Sequence, residues 1–290
     1  MHRNFGMIRA MNLLVAKDFE DYELIDSGDG KRFERFGKYK LIRPDPQIIW
    51  KKGLDESQWN SCNVVFENER WKKRLKMADK WLLRWRNISF YAKLTPFKHT
   101  GVFPEQSIHW EYIGNKVKNA NREVNILNLF AYTGIASLVA ASAGARVTHL
   151  DASIQSMKWS KENQAISNLG DKPIRWILDD AIKFTKREIK RKKTYDGIIM
   201  DPPVYGHGPG GETWDFNKSL PILLDNCSKI ISQNPLFVIM NAYAISSSSE
   251  TLKNILRDFF PEMIVESGEL GIKEKSKGRI LSTGIFARAT

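Results

Sequence analysis

Four acids in the second half of the chain stand where apolar runs stop: Asp151 after "RVTHL", Asp179 and Asp180 after "IRWIL", and Asp201 after "GIIM". A carboxylate at the end of a buried strand has no core to enter, so it is free to meet solvent or a ligand. Asp201 also opens "DPPVYGHGPGG", an unusual exit from a strand. Two prolines fix φ and lack N–H donors, so Asp201, Pro202 and Pro203 form a rigid segment rich in acceptors. Tyr205 and a loop with glycines at 206, 208, 210 and 211 follow. The alternatives are a rigid turn with a helix cap, and a loop whose glycines merely confer mobility. His207 within it is a candidate proton acceptor or a solvated loop histidine.

These acids need elements to place them. From about residue 124 apolar strands alternate with helical segments. The strands are "VNILNLF" (Val124–Phe130), "RVTHLD" (Arg146–Asp151), "IRWILDD", "YDGIIMD" and "LFVIMNAY". The helices between and after them are "IASLVAASAGA", "IQSMKWSKENQAISNLG" with Gly170 as its expected C-terminal stop, "AIKFTKREIKRKK", "SLPILLDNCSKIIS" and the serine-capped "SSSSETLKNILRDFF". This alternation predicts an α/β, doubly wound Rossmann-like sheet, mostly parallel. The tail from Glu262 reads as two more strands around a charged turn, supplying an antiparallel end strand. Ligands bind such sheets beyond the carboxyl ends of the strands, which gathers the acid-bearing tips at one crevice.

The first strand tip is "FAYTG", Phe130–Gly134. Gly134 opens a helix and permits close backbone approach to a ligand. Ala131, Tyr132 and Thr133 fill the loop in place of a G-x-G-x-x-G run, which argues against a nicotinamide dinucleotide. Asp151 lies 17 positions after Gly134, near the roughly 20-residue offset at which an acid holds ribose hydroxyls. Its alternative is to cap the next helix, for which Ser153 is better suited. Asp180, with the Ala181 backbone beside it, is placed to accept from an adenine amino group. Asp179 competes for that role, and helix capping remains open for both.

"LNLFAYTG", "THLDAS", "ILDDA" and "DPPVYG" together resemble the class I S-adenosylmethionine-dependent methyltransferases, in order and spacing. More narrowly they resemble bacterial large-subunit ribosomal RNA methyltransferases with an LFAYTG motif, some of which carry an N-terminal PUA domain. "TPFKHTGVFPEQ" (Thr95–Gln106) is similar to the segment that precedes the first strand there, so the resemblance covers about residues 95–290. It implies S-adenosyl-L-methionine bound by Phe130, Ala131, Tyr132, Thr133, Gly134, Asp151, Ala152, Ser153, Asp180 and Ala181, with Gln106 and His99 covering it. It implies methylation of ribosomal RNA at a base nitrogen. An exocyclic amine would donate to the Asp201 carboxylate and the Pro202 carbonyl, while Tyr205 stacks on the base. Val204 stands where the family places that aromatic, so Tyr205 comes one position late. Transfer of an activated methyl needs alignment and no metal. Methylation at pyrimidine carbon 5 needs a thiolate nucleophile, and the fifth strand tip, "NAYAISSSS", holds no cysteine.

The 290 residues carry a net charge of +12 and a pI near 9.5, a balance that favours polyanionic partners such as RNA. No apolar run approaches the roughly 20 residues of a membrane span. The start lacks the apolar core and cleavage site of a secretory signal and reads as mature chain. Two cysteines, Cys62 and Cys227, are too few for a disulfide framework or zinc site and fit a reducing cytoplasm. Residues 1–95 are expected to form a small β-rich domain with a basic helix, and 96–290 the methyltransferase domain. In that helix Trp71, Leu75, Ala78, Leu82 and Trp85 share one face, either packed in the core or laid on bases. The run "KREIKRKK" (Lys186–Lys193) belongs at the amino ends of the strands, away from the crevice. Competing functions are a protein or small-molecule methyltransferase, a nicotinamide oxidoreductase, and a noncatalytic RNA-binding protein.

Overall fold

A computed structural model describes residues 12–243 and 245–290; the first eleven residues of the expected mature start lie outside them. The chain enters through β1 (Asn12–Ala16) and then builds a five-stranded sheet from β2 (Tyr22–Gly28), β3 (Lys31–Phe36), β4 (Tyr39–Pro44), β5 (Val64–Glu67) and β6 (Arg70–Lys73), ordered as numbered. The short α1 (Glu56–Asn60) lies between β4 and β5. β3 and β4 form a hairpin folded at Gly37 with φ 59°.

The expected basic helix does not form. Its sequence becomes β6 and β7 (Lys80–Trp85), the latter paired in a hairpin with β8 (Ile88–Lys93) beyond it. Trp81, Leu83 and Trp85 are buried while Lys80, Leu82 and Arg84 are exposed, the period of two that a half-buried strand requires. Asn68 and Glu69 at φ 48° and 58° turn β5 back as β6, so no continuous helix can run through this stretch. The tryptophans pack the interior: Trp85 meets Trp110 edge to face at 5.5 Å.

The second half follows the alternation. After α2 (Ser107–Lys118) come β9 (Asn125–Leu129), α3 (Ile135–Ser142), β10 (Arg146–Asp151), α4 (Ile154–Ile166), β11 (Ile174–Leu178), α5 (Ala181–Lys190) and β12 (Gly197–Met200). A small hairpin, β13 (Tyr205–His207) with β14 (Thr213–Asp215), precedes α6 (Phe216–Ile230), β15 (Phe237–Ala242), α7 (Ser249–Phe259), β16 (Val265–Lys273) and β17 (Ile280–Ala289). The eight-stranded sheet runs β1-β16-β17-β15-β12-β9-β10-β11. Only β17 is antiparallel, and it lies inside the sheet between β15 and β16. β1 pairs in parallel with β16, closing contact between the two ends of the chain. Helix α4 stops at Ser167, with Asn168 at φ 55° in place of the expected Gly170.

Apolar faces of α5, α6 and α7 pack on one side of the sheet, and those of α2 and α3 on the other. Another core is shared: Leu83 and Phe90 of the β7–β8 hairpin pack with Trp110, Leu138 and Val139. Strand order reverses between β9 and β12, the switch point where a ligand crevice opens.

Candidate active site

A cleft of about 1270 Å³ opens beyond the carboxyl ends of β9, β10, β11, β12 and β15. The loop Phe130–Gly134 forms one wall. Phe130 and Tyr132 sit at φ 53° and 50°, and Gly134 at 84°, left-handed conformations that are rare outside glycine and collect at functional sites. They are held in place: the Ala131 N–H donates to Leu150 O (3.0 Å), Thr133 Oγ1 to Gly101 O (2.7 Å), and Asn163 Nδ2 to Thr133 O (2.9 Å). A Cβ on Gly134 would stand 2.9 Å from Ser160 Cβ and 3.3 Å from His149 Cε1. Close helix–strand packing therefore demands this glycine, in addition to any ligand approach.

Asp151 ends β10 with both carboxylate oxygens engaged by backbone: Oδ2 accepts from Tyr132 N (2.7 Å) and Oδ1 from Ser153 N (2.8 Å). Burial pushes its carboxyl above the ordinary aspartate value. Each oxygen keeps a second acceptor direction, and the residue, with Ala152 and Ser153, lines the cleft. Ser153 caps α4 through the Ser156 N–H (3.2 Å). Asp180 caps α5 through Lys183 N (2.8 Å), so the capping alternative is realised for one of its oxygens. Asp179 accepts from Asp180 N (2.8 Å) and pairs with Arg187. Asp179, Asp180 and Ala181 all border the same cleft.

Asp201 stands across the switch point, at the end of β12. Gln106 Nε2 donates to its Oδ2 at 3.4 Å, and Asn241 Nδ2 at the β15 tip donates to Gln106 Oε1 at 3.1 Å. Burial, reinforced by the Glu105 carboxylate, pushes the Asp201 carboxyl up to about 7. Glu105 is itself raised by burial, against the pull of Arg32 and Arg43. Gln106 thus touches the β12 acid directly.

The rest of "DPPVYG" is arranged differently from the expected acceptor clamp. Pro203 lines the cleft, and its carbonyl accepts from Trp214 Nε1 at 2.7 Å, which fixes Trp214 edge to face on Phe130 at 4.8 Å. Pro202 is buried. Tyr205 is 59% exposed, turns edge-on to His207 at 5.3 Å, and does not line the cleft, whereas His207 does. The glycine loop is a closed hairpin folded around the Glu212 carboxylate, which accepts from Gly210 N (2.9 Å) and pairs with Lys183. A Cβ on Gly208 would stand 2.3 Å from Glu212 Oε2, so this glycine makes room for a half-buried acid.

His99 borders the cleft, and burial together with Arg43 and Lys98 lowers its imidazole to about 4. Cys62 and Cys227 are buried outside the cleft, and burial raises both thiols. Residues the sequence reading passed over include Glu105, Trp214 and the cleft face of Asn241. Glu105 precedes Gln106 in a 3-10 turn, and its burial follows only from tertiary packing. The run Lys186–Lys193 spans the end of α5, where Arg187 and Arg191 engage Asp179 and Glu188. Among the described residues no group of three or more His, Cys, Asp or Glu could hold a metal ion. None of their helices is long and apolar enough to cross a membrane.

No protein-family model matches the chain. The crystal structure of an S-adenosylmethionine-dependent methyltransferase from Agrobacterium tumefaciens is 40% identical with a TM-score of 0.94, covering 97% of this chain and 93% of that one. A Streptococcus mutans protein described as an S-adenosylmethionine-dependent methyltransferase shares the fold at 17% identity and a TM-score of 0.70, covering 94% and 76% of the two chains. Among curated relatives, a ribosomal RNA large subunit methyltransferase K/L from Pseudoalteromonas atlantica is 30% identical over 229 residues, 76% of this chain and 30% of that protein. The protein of the same name from Shewanella frigidimarina is 33% identical over 154 residues, 52% of this chain and 21% of the relative. The chain thus spans less than a third of the length of these two curated relatives.

Proposed function

The chain belongs to the S-adenosylmethionine-dependent methyltransferases, and from that premise we propose that it methylates ribosomal RNA at a base nitrogen. The observation that carries this reading is Asp201, a carboxyl poised near neutrality across one cleft from the Phe130–Gly134 loop and Asp151. The residues present fit the donor. Asp151 has acceptor directions left for ribose hydroxyls, and Phe130, Ala131, Tyr132, Thr133 and Gly134 would line the methionine and ribose side. Ala152 and Ser153 flank the ribose, while Asp180 and Ala181 border the adenine side.

Typical small-molecule pockets measure about 300–1,000 Å³. A cleft of about 1270 Å³ leaves room for an acceptor base beside the donor. When bound, S-adenosylmethionine supplies a methyl already activated by its sulfonium charge. The protein's task is then orientation and placement of a proton.

Ionised Asp201 accepts an N–H of the acceptor base. It aims the nitrogen's lone pair into the cleft, stabilises the positive charge that develops as the methyl leaves sulfur for nitrogen, and takes up the nitrogen's proton. Pro202, buried and outside the cleft lining, is not the second acceptor. Pro203 acts through Trp214, anchoring a wall of the cleft. Tyr205 is placed to meet RNA outside the cleft rather than to stack on the acceptor base.

The +12 charge favours a polyanionic partner. The names of the curated relatives support large-subunit ribosomal RNA as the substrate, and in this proposal the activity is cytoplasmic. Residues 1–95 form, in this proposal, the unit that supports RNA binding, and 96–290 the methyl-transfer unit.

Tritiated S-adenosylmethionine incubated with the protein, total RNA and protein extract gives the test. Label is expected in ribosomal RNA and absent with Asp201→Ala. Label confined to protein or to small molecules rejects an RNA substrate.

A further inference from the structure

Asp201 is the end of a line of side chains that the reaction as described above does not use. Asn241 Nδ2 donates to Gln106 Oε1, and Gln106 Nε2 donates to Asp201 Oδ2. The first bond orients the second, because an amide whose oxygen is turned to one neighbour presents its N–H₂ on the other side. Behind Asn241 lies His109 in the first turn of α2, fully buried and packed edge to face on Phe286 at 5.4 Å. Among the described residues neither His109 nitrogen has a hydrogen-bond partner within the usual distance, and neither does Asn241 Oδ1, although the imidazole lies close enough to Asn241 to feel its amide. Buried unpaired polar atoms cost roughly 1–3 kcal/mol each. An imidazole N–H and an amide oxygen are complementary hydrogen-bonding partners.

We propose that His109, Asn241 and Gln106 form a one-directional hydrogen-bond relay that orients the Asp201 carboxylate, holding Oδ2 so that Oδ1 is the oxygen presented to the acceptor. Its sense is imidazole N–H to Asn241 Oδ1, Asn241 N–H to Gln106 Oε1, and Gln106 N–H to Asp201 Oδ2. This rests on the reading of Asp201 as the acceptor-side acid. The three are positioning residues, acting through Asp201.

The relay requires a neutral imidazole with a single N–H, since a doubly protonated ring buried beside a cation would carry an uncompensated charge. Burial and the Arg288 guanidinium of β17 hold His109 down to about 3, so it stays neutral. The charged group that faces Asp201 is Glu105 of the 3-10 turn. Behind Glu105 stand Arg32 of β3, Arg43 of β4 and Glu34 of β3. None of these belongs to the relay, so removing a relay member changes the hydrogen bonding of Asp201 and leaves the surrounding charges in place. A lost donor to the ionised form must raise the carboxyl's pKa.

The test titrates the full-length protein directly, by carbon NMR with carboxyl-labelled aspartate, using Asp201→Asn to assign the resonance. Gln106 is only half-buried, so Gln106→Leu is expected to fold, with melting within a few degrees of wild type. In that variant the Asp201 midpoint should rise by about one pH unit, the loss of roughly one hydrogen bond. Asn241→Leu, which keeps the volume, removes the donor to Gln106 and adds no charge, should move it in the same direction. Nitrogen-labelled histidine should show His109 as a single neutral tautomer in the wild type. If RNA is methylated, the ascending limb of the pH–rate profile should follow the same shift. An Asp201 midpoint unmoved in Gln106→Leu overturns the relay. Full RNA methylation by Asp201→Asn overturns the acceptor reading instead, and the titration still reports on the relay.

Discussion

Asp151 and Asp201 end two strands of one sheet and border one cleft, yet they are held in opposite ways. Asp151 is gripped by two backbone N–H groups at 2.7 and 2.8 Å. Its position is as fixed as the loop it braces. Asp201 receives one long side-chain bond at 3.4 Å and faces a second carboxylate, Glu105. Both are raised by burial. Only Asp201 is carried to about 7, because Glu105 adds to burial and no backbone donor offsets them. An acid meant to hold a ligand benefits from stiffness, and an acid meant to accept charge during a reaction benefits from a pKa near the working pH.

The largest effect should come from the poised acid. Asp201→Asn is expected to lower methyl transfer by about 10³-fold, within the range of general acid–base contributions. Affinity for S-adenosylhomocysteine, measured by calorimetry, should stay within about threefold. The same variant reports on stability. A carboxyl whose folded value lies above its unfolded one binds its proton more tightly in the native state, so native stability falls as pH climbs from about 4 to 7 and is level above. Asn carries no such penalty. Chemical denaturation should show Asp201→Asn gaining on wild type across that interval, reaching about 4 kcal/mol at pH 8. A variant equally destabilised at every pH would break the contrast between the two acids.

A second strike falls on the stiff side. Gly134→Ala must place a Cβ against Ser160 and His149 at a φ of 84°. Strain and overpacking together should cost about 2–4 kcal/mol in a denaturant melt. A cost below about 1 kcal/mol would mean that the Phe130–Gly134 loop is not the rigid wall described. The smallest of the three belongs to Asp151→Ala, which removes the carboxylate proposed to accept from ribose hydroxyls. It should weaken S-adenosylhomocysteine by about 10- to 100-fold, or roughly 1.4–2.8 kcal/mol. Unchanged affinity would remove Asp151 from the donor site.

The two halves of the chain differed in how plainly they could be read. Strand tips in the second half were legible because short apolar runs stop at acids, prolines and glycine, and the β12 segment "GIIM" emerges unchanged. The first half misled through a coincidence of periods. Trp71, Leu75, Ala78, Leu82 and Trp85 fit a helical face, while Trp81, Leu83 and Trp85 fit a strand, and the left-handed turn at Asn68 and Glu69 decided for strands. The pairing of β1 with β16 joins residues more than 250 positions apart and leaves no local trace.

At the site, the acids were legible and their partners were not. Gln106 stands 95 residues before Asp201 and Asn241 stands 40 after it, and only the folded sheet brings the three amide and carboxyl groups together. Tyr205 shows the limit from the other side. A motif can supply an aromatic near the right place, and one intervening residue, Val204, turns its ring onto His207 and out of the cleft.

The most direct measurement is a crystal structure with S-adenosylhomocysteine bound. The ribose hydroxyls should lie on the Asp151 carboxylate, with the sulfur facing the space before Asp201. A ligand seated elsewhere, or one whose sulfur is walled off from Asp201, would contradict the shared methyl-transfer site.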